Sequence, residues 1–477
     1  MNKKTKIVCT IGPTSDSTEK LALLLKNGMN VARLNFSHNT HAYHLNVLKK
    51  IRALSKKTKT PIGIIVDLQG PRIRLGNLPV EGINLVKGKK VILTTSLKVS
   101  GDKIPVTYQS MHRDMKVGER VLITDGLMEL KVESIQGHDL HCRVICGGKI
   151  YTHKGVNLPD TDVKIDILSA KDKEDVVFAI KNSADFIALS FVRHASDVWA
   201  LRKLIEVTEK KISSREKASP MIIVKIERRE AVNEFDEILS ATDAVMVARG
   251  DLGVELPVED VPVIQKMIID KCLKASKPVI VATQMLDSMI SNPRPTRAEV
   301  SDVANAVIDH TDAVMLSGET ASGAYPVEAV ATMSRIIMTT EASVYDDLYL
   351  NSKIKMSLGS DVVMGRVAKL LSQQTEAKLI LGATITGQTA RIVSRFRPEK
   401  PIYMACIDER VLNQLTLSWG VNAFRLPLCH NVVELMRKAE LMLKKQKVIK
   451  SKDQIVIITG LPVNKPGQMN LVELREV

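Results

Sequence analysis

The sequence has 477 residues, a formal net charge of +15 at pH 7, 45% apolar residues and only 3% aromatic residues. No apolar run approaches the roughly 20 residues that a membrane-spanning helix needs, and the basic residues are dispersed without aromatic side chains to stack on bases, which disfavours membrane and nucleic-acid partners. The six cysteines are scattered without a metal-binding spacing, so free thiols in a reducing cytoplasm are predicted.

Eight short apolar runs predict the strands of a parallel barrel. Helical patterns lie between most of them, and strands that alternate with helices form parallel sheets. One helix start is clear, because Thr296 and Glu299 form a capping box ahead of an apolar stripe from Val300 to Ile308. Eight such units are typical of a (β/α)8 TIM barrel, in which working side chains follow the carboxyl ends of the strands. The runs are Lys6–Ile11, Val31–Phe36, Ile62–Leu68, Asp185–Phe191, Met221–Glu227, Ala244–Ala248, Pro278–Thr283 and Ala313–Leu316.

Residues 70–160 interrupt the barrel after its third strand, and their pattern predicts a small inserted β-barrel domain. Four β-type runs are separated by Gly and Asp turns, namely Val91–Thr95, Arg120–Thr124, Leu127–Val132 and Leu140–Ile145. An insertion at the carboxyl end of a barrel strand lies beside the mouth of the barrel, so we call residues 70–160 the lid. The barrel is then expected to comprise residues 1–69 and 161–340.

Residues 341–477 are predicted to form a C-terminal α/β domain, with helices at Asp361–Thr375 and Val432–Val448. The apolar runs between and after these helices predict strands at Leu379–Ala383, Ile402–Ile407 and Gln454–Ile458. The turn after the first strand carries hydroxyls and a glycine, which suits a phosphate bound on backbone N–H groups. An ordinary capped turn explains the same residues. The candidate contacts for an effector phosphate are Thr384, Thr386, Gly387 and Thr389.

Charge follows two neighbouring predicted strands at the point where each ends. Lys225 and Glu227 are two residues apart on one strand and point the same way, and Asp251 follows the next strand. Two carboxylates with a neighbouring lysine suit a hard divalent cation such as Mg²⁺ and an anionic substrate. The alternative is that these charges mark only where buried strands reach solvent.

Further polar groups follow other strands. Arg33 could clamp a phosphate with its two-pronged guanidinium. Gly250 lets the backbone approach a ligand closely, so that its N–H could hold a carboxylate. Thr283 closes its strand with a hydroxyl, for which a helix cap or a solvent-exposed strand end is the simpler explanation.

Long ordered motifs make the sequence similar to the pyruvate kinase family almost from end to end. The motifs lie at Lys4–Pro13, Asn30–His38, Lys154–Pro159, Val224–Glu227, Met246–Gly253, Ala282–Leu286, Pro293–Glu299 and Met315–Ala321. The resemblance implies a barrel, an inserted β lid and a C-terminal α/β domain. It also implies glycolytic transfer of a phosphoryl group from phosphoenolpyruvate to ADP, giving pyruvate and ATP, by a cytoplasmic homotetramer.

The resemblance assigns roles by position. Lys225 stabilises the transferring phosphoryl group, and Thr283 is associated with protonation of the enolate. The implied ligands of Mg²⁺ or Mn²⁺ are Glu227 and Asp251. The implied substrate contacts are Arg33, Ser190, Lys225, Gly250, Asp251 and Thr283, and the implied nucleotide contacts are Arg74, Lys154 and His38. A sugar phosphate or a nucleotide is the expected class of effector.

One segment departs from the family's common pattern, which reads Asp-Thr-Lys-Gly-Pro-Glu where this sequence reads Asp-Leu-Gln-Gly-Pro-Arg from Asp67. In the family, a monovalent cation is bound at the positions of Asn35, Ser37, Asp67 and Leu68. Leu68 has no side-chain oxygen, and Arg72 brings a fixed positive charge. The departure predicts that Arg72 replaces K⁺ and that the enzyme requires no monovalent cation.

Two other functions are compatible with parts of the pattern. A keto-acid aldolase on the same barrel would use Lys225 as a nucleophile with a lowered pKa, although the nearby carboxylates oppose that shift. A non-enzymatic nucleic-acid binder is suggested by charge alone and would show salt-sensitive binding.

Overall fold

The computed structural model describes residues 3–96, 101–212, 218–347, 359–427, 429, 431–460 and 469–477. No helix in these ranges is long and apolar enough to cross a membrane. The six cysteines, which all lie within the described ranges, are free thiols.

Eight parallel strands close into a barrel, which confirms the predicted TIM barrel. Their side chains are almost entirely buried, because the barrel interior is packed on one face and helices cover the other. The strands are β1 (Lys6–Thr10), β2 (Val31–Asn35), β3 (Gly63–Asp67), β12 (Phe186–Leu189), β13 (Met221–Ile226), β14 (Ala244–Ala248), β15 (Val279–Ala282) and β16 (Ala313–Leu316). In space the order is β1-β16-β15-β14-β13-β12-β3-β2, so each strand pairs in parallel with its neighbours.

Helices follow the barrel strands and shield their outer faces. They are α1 (Thr18–Asn27), α2 (His41–Thr58), α4 (Ala170–Lys181), α5 (Ala195–Ile212), α6 (Arg229–Asn233), α7 (Phe235–Ala241), α8 (Arg249–Glu255), α9 (Val261–Ala275), α10 (Arg297–Ile308), α11 (Gly318–Ala321) and α12 (Pro326–Glu341). The predicted capping box starts α10, with the Glu299 N–H donating to Thr296 Oγ1 at 3.2 Å. Within the predicted stripe of α10, Val303 and Val307 are buried, whereas Val300 is exposed.

The lid lies between β3 and β12 and contains a six-stranded sheet, a two-stranded sheet and one short helix. The elements among its described residues are β4 (Ile83–Leu85), β5 (Lys90–Thr94), β6 (Ile104–Pro105), α3 (Met111–Asp114), β7 (Arg120–Ile123), β8 (Met128–Gln136), β9 (Asp139–Cys146), β10 (Gly148–Ile150) and β11 (Val156–Asn157). The order of the larger sheet is β11-β7-β8-β9-β5-β6, and β10 pairs with β4. The four predicted runs correspond to β5, β7, β8 and β9.

The C-terminal domain is a five-stranded sheet of order β19-β18-β17-β20-β21 with helices beside it. Its elements are α13 (Ser360–Gln374), β17 (Ile380–Ala383), α14 (Gln388–Ser394), β18 (Ile402–Cys406), α15 (Glu409–Gln414), β19 (Val421–Arg425), α16 (Val432–Lys445), β20 (Gln454–Thr459) and the antiparallel β21 (Leu471–Glu476). It packs against the amino-terminal ends of the barrel strands, where Lys6 Nζ donates to the carbonyl of Val421 at 2.9 Å. The carboxyl ends therefore remain available to the lid.

Candidate active site

Lys225 lies at the centre of a charged cluster at the carboxyl ends of the barrel strands. Its ammonium donates to Ser190 Oγ at 2.8 Å and lies 2.8 Å from Glu227 Oε1 and 3.6 Å from Asp67 Oδ1. Burial by itself lowers the pKa of Lys225, but the carboxylates of Asp67 and Glu227 outweigh it, so the pKa stands above its ordinary value. Lys225 therefore keeps its positive charge at neutral pH.

Arg33 adds a second cation beside Lys225. Its Nε donates to Asp67 Oδ2 at 2.6 Å, and another guanidinium nitrogen donates to Thr10 Oγ1 at 2.9 Å. The parallel register explains the contacts, because Thr10 pairs with Arg33 on β1 and β2, and Asn35 pairs with Asp67 on β2 and β3. Asp67 lies between the two cations and holds both near the mouth of the barrel.

Glu227 is the most perturbed carboxylate of the cluster, with a relative exposure of 1%. Burial raises its pKa to about 7, against the opposing effect of Lys225. Its Oε2 accepts a hydrogen bond from the N–H of Phe191 at 2.6 Å. Phe191 has a φ of 57°, a conformation that is rare for a bulky residue and that turns its N–H toward the carboxylate.

The two predicted metal ligands fit a hard divalent cation. Glu227 Oε1 is buried and accepts no hydrogen bond from the described residues, its contact being the ion pair with Lys225. Asp251 lies in the first turn of α8 and is close enough to Glu227 to raise its pKa. The described residues contain no group of three or more His, Cys, Asp or Glu side chains able to hold a metal. Two carboxylates suit Mg²⁺, which keeps water and substrate oxygens in its remaining positions.

Gly250 and Thr283 meet beside Asp251. The Gly250 N–H donates to Thr283 Oγ1 at 2.7 Å, and that hydroxyl donates to the carbonyl of Ala282 at 2.6 Å. Thr283 has a φ of 68° and Gln284 a φ of 53°. A β-branched residue in the left-handed region costs about 1–3 kcal/mol and persists only where its surroundings enforce it, a situation that is common in active sites.

Arg249, which was not among the residues predicted for the site, holds Thr283 and Gln284 in this backbone conformation. Its guanidinium donates to the carbonyls of Thr283 at 2.8 Å and Gln284 at 3.2 Å, and it pairs with Asp302 at 2.7 Å. Arg249 lies in the Met246–Gly253 motif, directly before Gly250. The sequence gives no indication that its guanidinium binds carbonyls of a loop more than thirty residues away.

The predicted nucleotide residues lie at the rim, between barrel and lid. Arg74 donates to the carbonyl of His153 at 3.1 Å, beside the exposed Lys154. His38 is exposed on the loop after β2, where its carbonyl accepts a hydrogen bond from His44 Nε2 at 2.9 Å. Two of the three side chains are therefore accessible.

The residues of the predicted monovalent-cation site lie at the ends of β2 and β3. Asn35 Oδ1 accepts from the N–H of Ser37 at 3.1 Å, and Asp67 Oδ2 is taken by Arg33. Leu68 is buried with 1% exposure. The guanidinium of Arg72 pairs with Asp125 of the lid at 3.1 Å. Its charge thus lies on the lid side of the cleft.

The predicted effector turn is closed by its own hydroxyl. The Gly387 N–H donates to Thr384 Oγ1 at 2.9 Å, and Gly387 has a φ of 82° immediately before α14. Thr386 is exposed and Thr389 is half-buried.

Comparisons with known proteins agree with this fold. Family models described as "Pyruvate kinase, barrel domain" and "Pyruvate kinase, alpha/beta domain" match residues 2–330 and 364–474. A pyruvate kinase of Geobacillus stearothermophilus is 43% identical, over 100% of this chain and 81% of that protein. A pyruvate kinase of Clostridium perfringens is 40% identical, over 100% of both chains. A crystal structure of a pyruvate kinase from Cryptosporidium parvum superposes with a TM-score of 0.94 at 39% identity, covering 100% of this chain and 96% of that one.

Proposed function

The chain belongs to the pyruvate kinase family, whose members are phosphotransferases, and from this premise we propose that it transfers the phosphoryl group of phosphoenolpyruvate to ADP, giving pyruvate and ATP. The observation that carries the proposal is the cluster around Lys225, in which two cations and two buried carboxylates converge at the carboxyl ends of the barrel strands. Such a cluster suits the stabilisation of a strongly anionic transition state.

Lys225 and Arg33 act on the phosphoryl group. Both are held by Asp67, which orients them before substrate arrives. Because they are positioned in advance, little reorganisation is needed as negative charge spreads over the phosphoryl oxygens. Ser190, which donates to the carbonyl of Leu68 at 2.7 Å, fixes the ammonium from the other side.

Glu227 and Asp251 would hold Mg²⁺ or Mn²⁺. A divalent cation bound there supplies Lewis-acid stabilisation of substrate oxygens. The buried Glu227 Oε1 and its pKa of about 7 support this assignment, because an under-satisfied carboxylate gains from a cation more than a solvated one.

Gly250 and Thr283 would bind the carboxylate end of the substrate. Their hydrogen bond to each other occupies the N–H that the substrate would use, so the substrate carboxylate is expected to replace Thr283 Oγ1 as the acceptor. The released hydroxyl would then face the enolate carbon and pass a proton to it, with water as the carrier.

Residues of the lid would bind the nucleotide. Lys154 and Arg74 lie where the lid meets the barrel, and His38 lies on the opposing loop. Closure of residues 70–160 over the mouth would exclude water and so prevent hydrolysis of the phosphoryl group.

We further propose that K⁺ is not required. Leu68 offers no side-chain oxygen as a ligand, its backbone carbonyl accepts a hydrogen bond from Ser190 at 2.7 Å, and Arg72 contributes a permanent charge from its place beside Asp125. Activity with and without K⁺ in a sodium-free buffer tests this, and activation of about tenfold or more (1.4 kcal/mol) would contradict it. The double variant Leu68→Thr/Arg72→Glu restores the family's threonine and glutamate at these two positions and should introduce a K⁺ requirement.

Three further features are proposed from the family. They are a cytoplasmic location, which the six free thiols support, a homotetramer, and an effector phosphate at the Thr384–Thr389 turn. Sedimentation tests the tetramer. Activation by sugar phosphates or nucleotides, lost in Thr384→Val, tests the effector site.

The central experiment is a coupled assay for pyruvate formation from phosphoenolpyruvate and ADP, with and without Mg²⁺ or Mn²⁺. Activity that depends on the divalent cation is expected. An aldolase would instead trap pyruvate on Lys225 under borohydride, which the raised pKa of Lys225 opposes. Absence of pyruvate formation under all metal conditions would contradict the proposal.

A further inference from the structure

Glu255 is a buried carboxylate outside the phosphoryl-transfer cluster that contacts two other parts of the molecule, the lid and the segment after Glu227. It is the last residue of α8 and has a relative exposure of 3%. A carboxylate of this kind is almost never fully buried without a partner that requires it. Its contacts show which parts of the structure it joins.

The first contact reaches the lid. Asn157 Nδ2 donates to Glu255 Oε1 at 3.1 Å, and Asn157 belongs to β11, three residues after Lys154. The lid also approaches the same helix at Gly126, where only an added Cβ would come into contact with the side chain of Val254, at 3.7 Å. The lid therefore rests on α8.

The second and third contacts reach the residues after Glu227. A guanidinium nitrogen of Arg228 lies 3.9 Å from Glu255 Oε2, and Arg229 donates to the backbone carbonyl of Glu255 at 3.3 Å. Arg228 immediately follows Glu227, and α8 carries Asp251 in its first turn. Glu255 thus contacts the segments that bear both proposed metal ligands.

The guanidinium of Arg228 and the carboxylate of Glu255 are not within hydrogen-bonding distance. Glu255 Oε2 accepts no hydrogen bond from the described residues, and it faces a cavity of about 30 Å³ that Arg72, Arg193 and Arg228 also line. A separation of 3.9 Å is too long for a hydrogen bond and leaves room for movement. Arg72 is also a position at which this chain departs from the common family pattern.

We propose that Glu255 is a positioning residue that couples the lid to the metal-binding carboxylates. Displacement of β11 pulls on Glu255 through Asn157, and Asp251 lies one helical turn before Glu255 in α8, so the displacement is passed along that turn to Asp251. The approach of Arg228 to the free oxygen of Glu255 moves the segment after Glu227 in concert. This inference rests on the proposed assignment of Glu227 and Asp251 as metal ligands.

The test measures Mn²⁺ affinity without turnover, by electron paramagnetic resonance of free Mn²⁺, for Asn157→Ala, Glu255→Ala and the double variant. Asn157 lies in the lid and is not a proposed metal ligand. If the contact between Asn157 and Glu255 has only a local structural role, Asn157→Ala should bind Mn²⁺ with the affinity of the parent protein. We expect each single variant to weaken Mn²⁺ binding by about fivefold, and the double variant to weaken it by no more than about tenfold, because coupled residues are not additive.

Two further variants keep the test selective. Glu255→Gln retains an oxygen for the Asn157 amide and should recover affinity relative to Glu255→Ala, which also covers the case in which Glu255→Ala folds poorly. Asp139→Asn makes the same carboxylate-to-amide change in a lid ion pair with Lys103, at 2.6 Å, that does not involve α8. It should bind Mn²⁺ like the parent protein.

Specific outcomes overturn the inference. Mn²⁺ affinity within about twofold of the parent in Asn157→Ala would do so, as would single effects that multiply to about 25-fold in the double variant. A weakening in Asp139→Asn equal to that in Asn157→Ala would reduce the effect to general loosening of the lid. Failure of the parent itself to bind Mn²⁺, or unchanged binding in Glu227→Gln, would instead overturn the metal assignment and this inference with it.

Discussion

Replacement of Lys225 by methionine tests the central role in the proposed mechanism. Methionine preserves most of the length and the apolar stem of lysine but removes the ammonium that Ser190 and Glu227 hold at 2.8 Å. Arg33 and Gly250 remain in place to bind the substrate. We therefore expect a large loss of kcat with little change in the KM for phosphoenolpyruvate.

The magnitude follows from the position of the charge. A unit charge about 4 Å from one unit of developing negative charge contributes about 4 kcal/mol at an effective dielectric constant of about 20. Loss of a single preorganised stabiliser typically lowers kcat by about 10²–10³-fold, or about 2.7–4 kcal/mol. The two figures agree, so kcat should fall by at least about 10²-fold.

The assay couples pyruvate formation to a dehydrogenase at saturating phosphoenolpyruvate and ADP. Lys6→Met is the matched control, because Lys6 is also buried but lies at the opposite end of the barrel, bonded to the carbonyl of Val421. The control should lose stability, by about 1–3 kcal/mol for the unpaired carbonyl, and keep its turnover. A Lys225→Met enzyme with near-normal kcat, or a Lys6→Met enzyme with an equal loss, would refute the reasoning.

Three further predictions address the rest of the site. Because burial raises the pKa of Glu227 to about 7 and a ligand must be deprotonated, Mn²⁺ affinity should rise with pH up to about 7 and then level off; equal affinity in titrations at pH 6 and pH 8 would contradict this. Thr283→Ala should lower kcat by about 10²-fold, the lower end of the range for a proton-delivering group, whereas Thr283→Ser, which retains the hydroxyl, should recover most of it in the same coupled assay. Arg249→Lys should raise the KM for phosphoenolpyruvate, because one guanidinium nitrogen holds the carbonyls of Thr283 and Gln284 while another holds Asp302, and lysine offers a single nitrogen; an unchanged KM would show that the loop keeps its shape without the second nitrogen.

The barrel was predictable because its strands are buried on both faces. Such strands appear in the sequence as continuous apolar runs, and all eight were found within a few residues of their bounds. The lid was harder. Strands β6 and β11 have two residues each, too few to show any alternation, and β11 is a strand only because it pairs with β7.

In the candidate site, too, residues marked by local sequence were predictable, and residues that depend on distant contacts were not. Lys225, Glu227 and Asp251 were found because strand ends gather at one end of a barrel. Arg249, Phe191 and Glu255 were not, since each acts through a contact with a residue distant in sequence. The positive φ of Thr283 was equally hidden, because nothing in the local residue types requires it and the Arg249 contacts impose it.

The alternation of charge in the cluster explains how it can be both folded and reactive. Arg33, Asp67, Lys225 and Glu227 form a chain in which each charge faces an opposite one, so none is buried alone. Glu227 is the end of this chain, and its pKa of about 7 marks it as the member that burial stabilises least in charged form. A cation there would therefore satisfy the least favourable charge, while Lys225 keeps Asp67 and Ser190 as partners and directs its remaining N–H toward the substrate. In the free protein, Lys225 and Glu227 form an ion pair. Once Glu227 binds a cation, Lys225 stays in place through Asp67 and Ser190, and one of its N–H groups becomes available to the substrate.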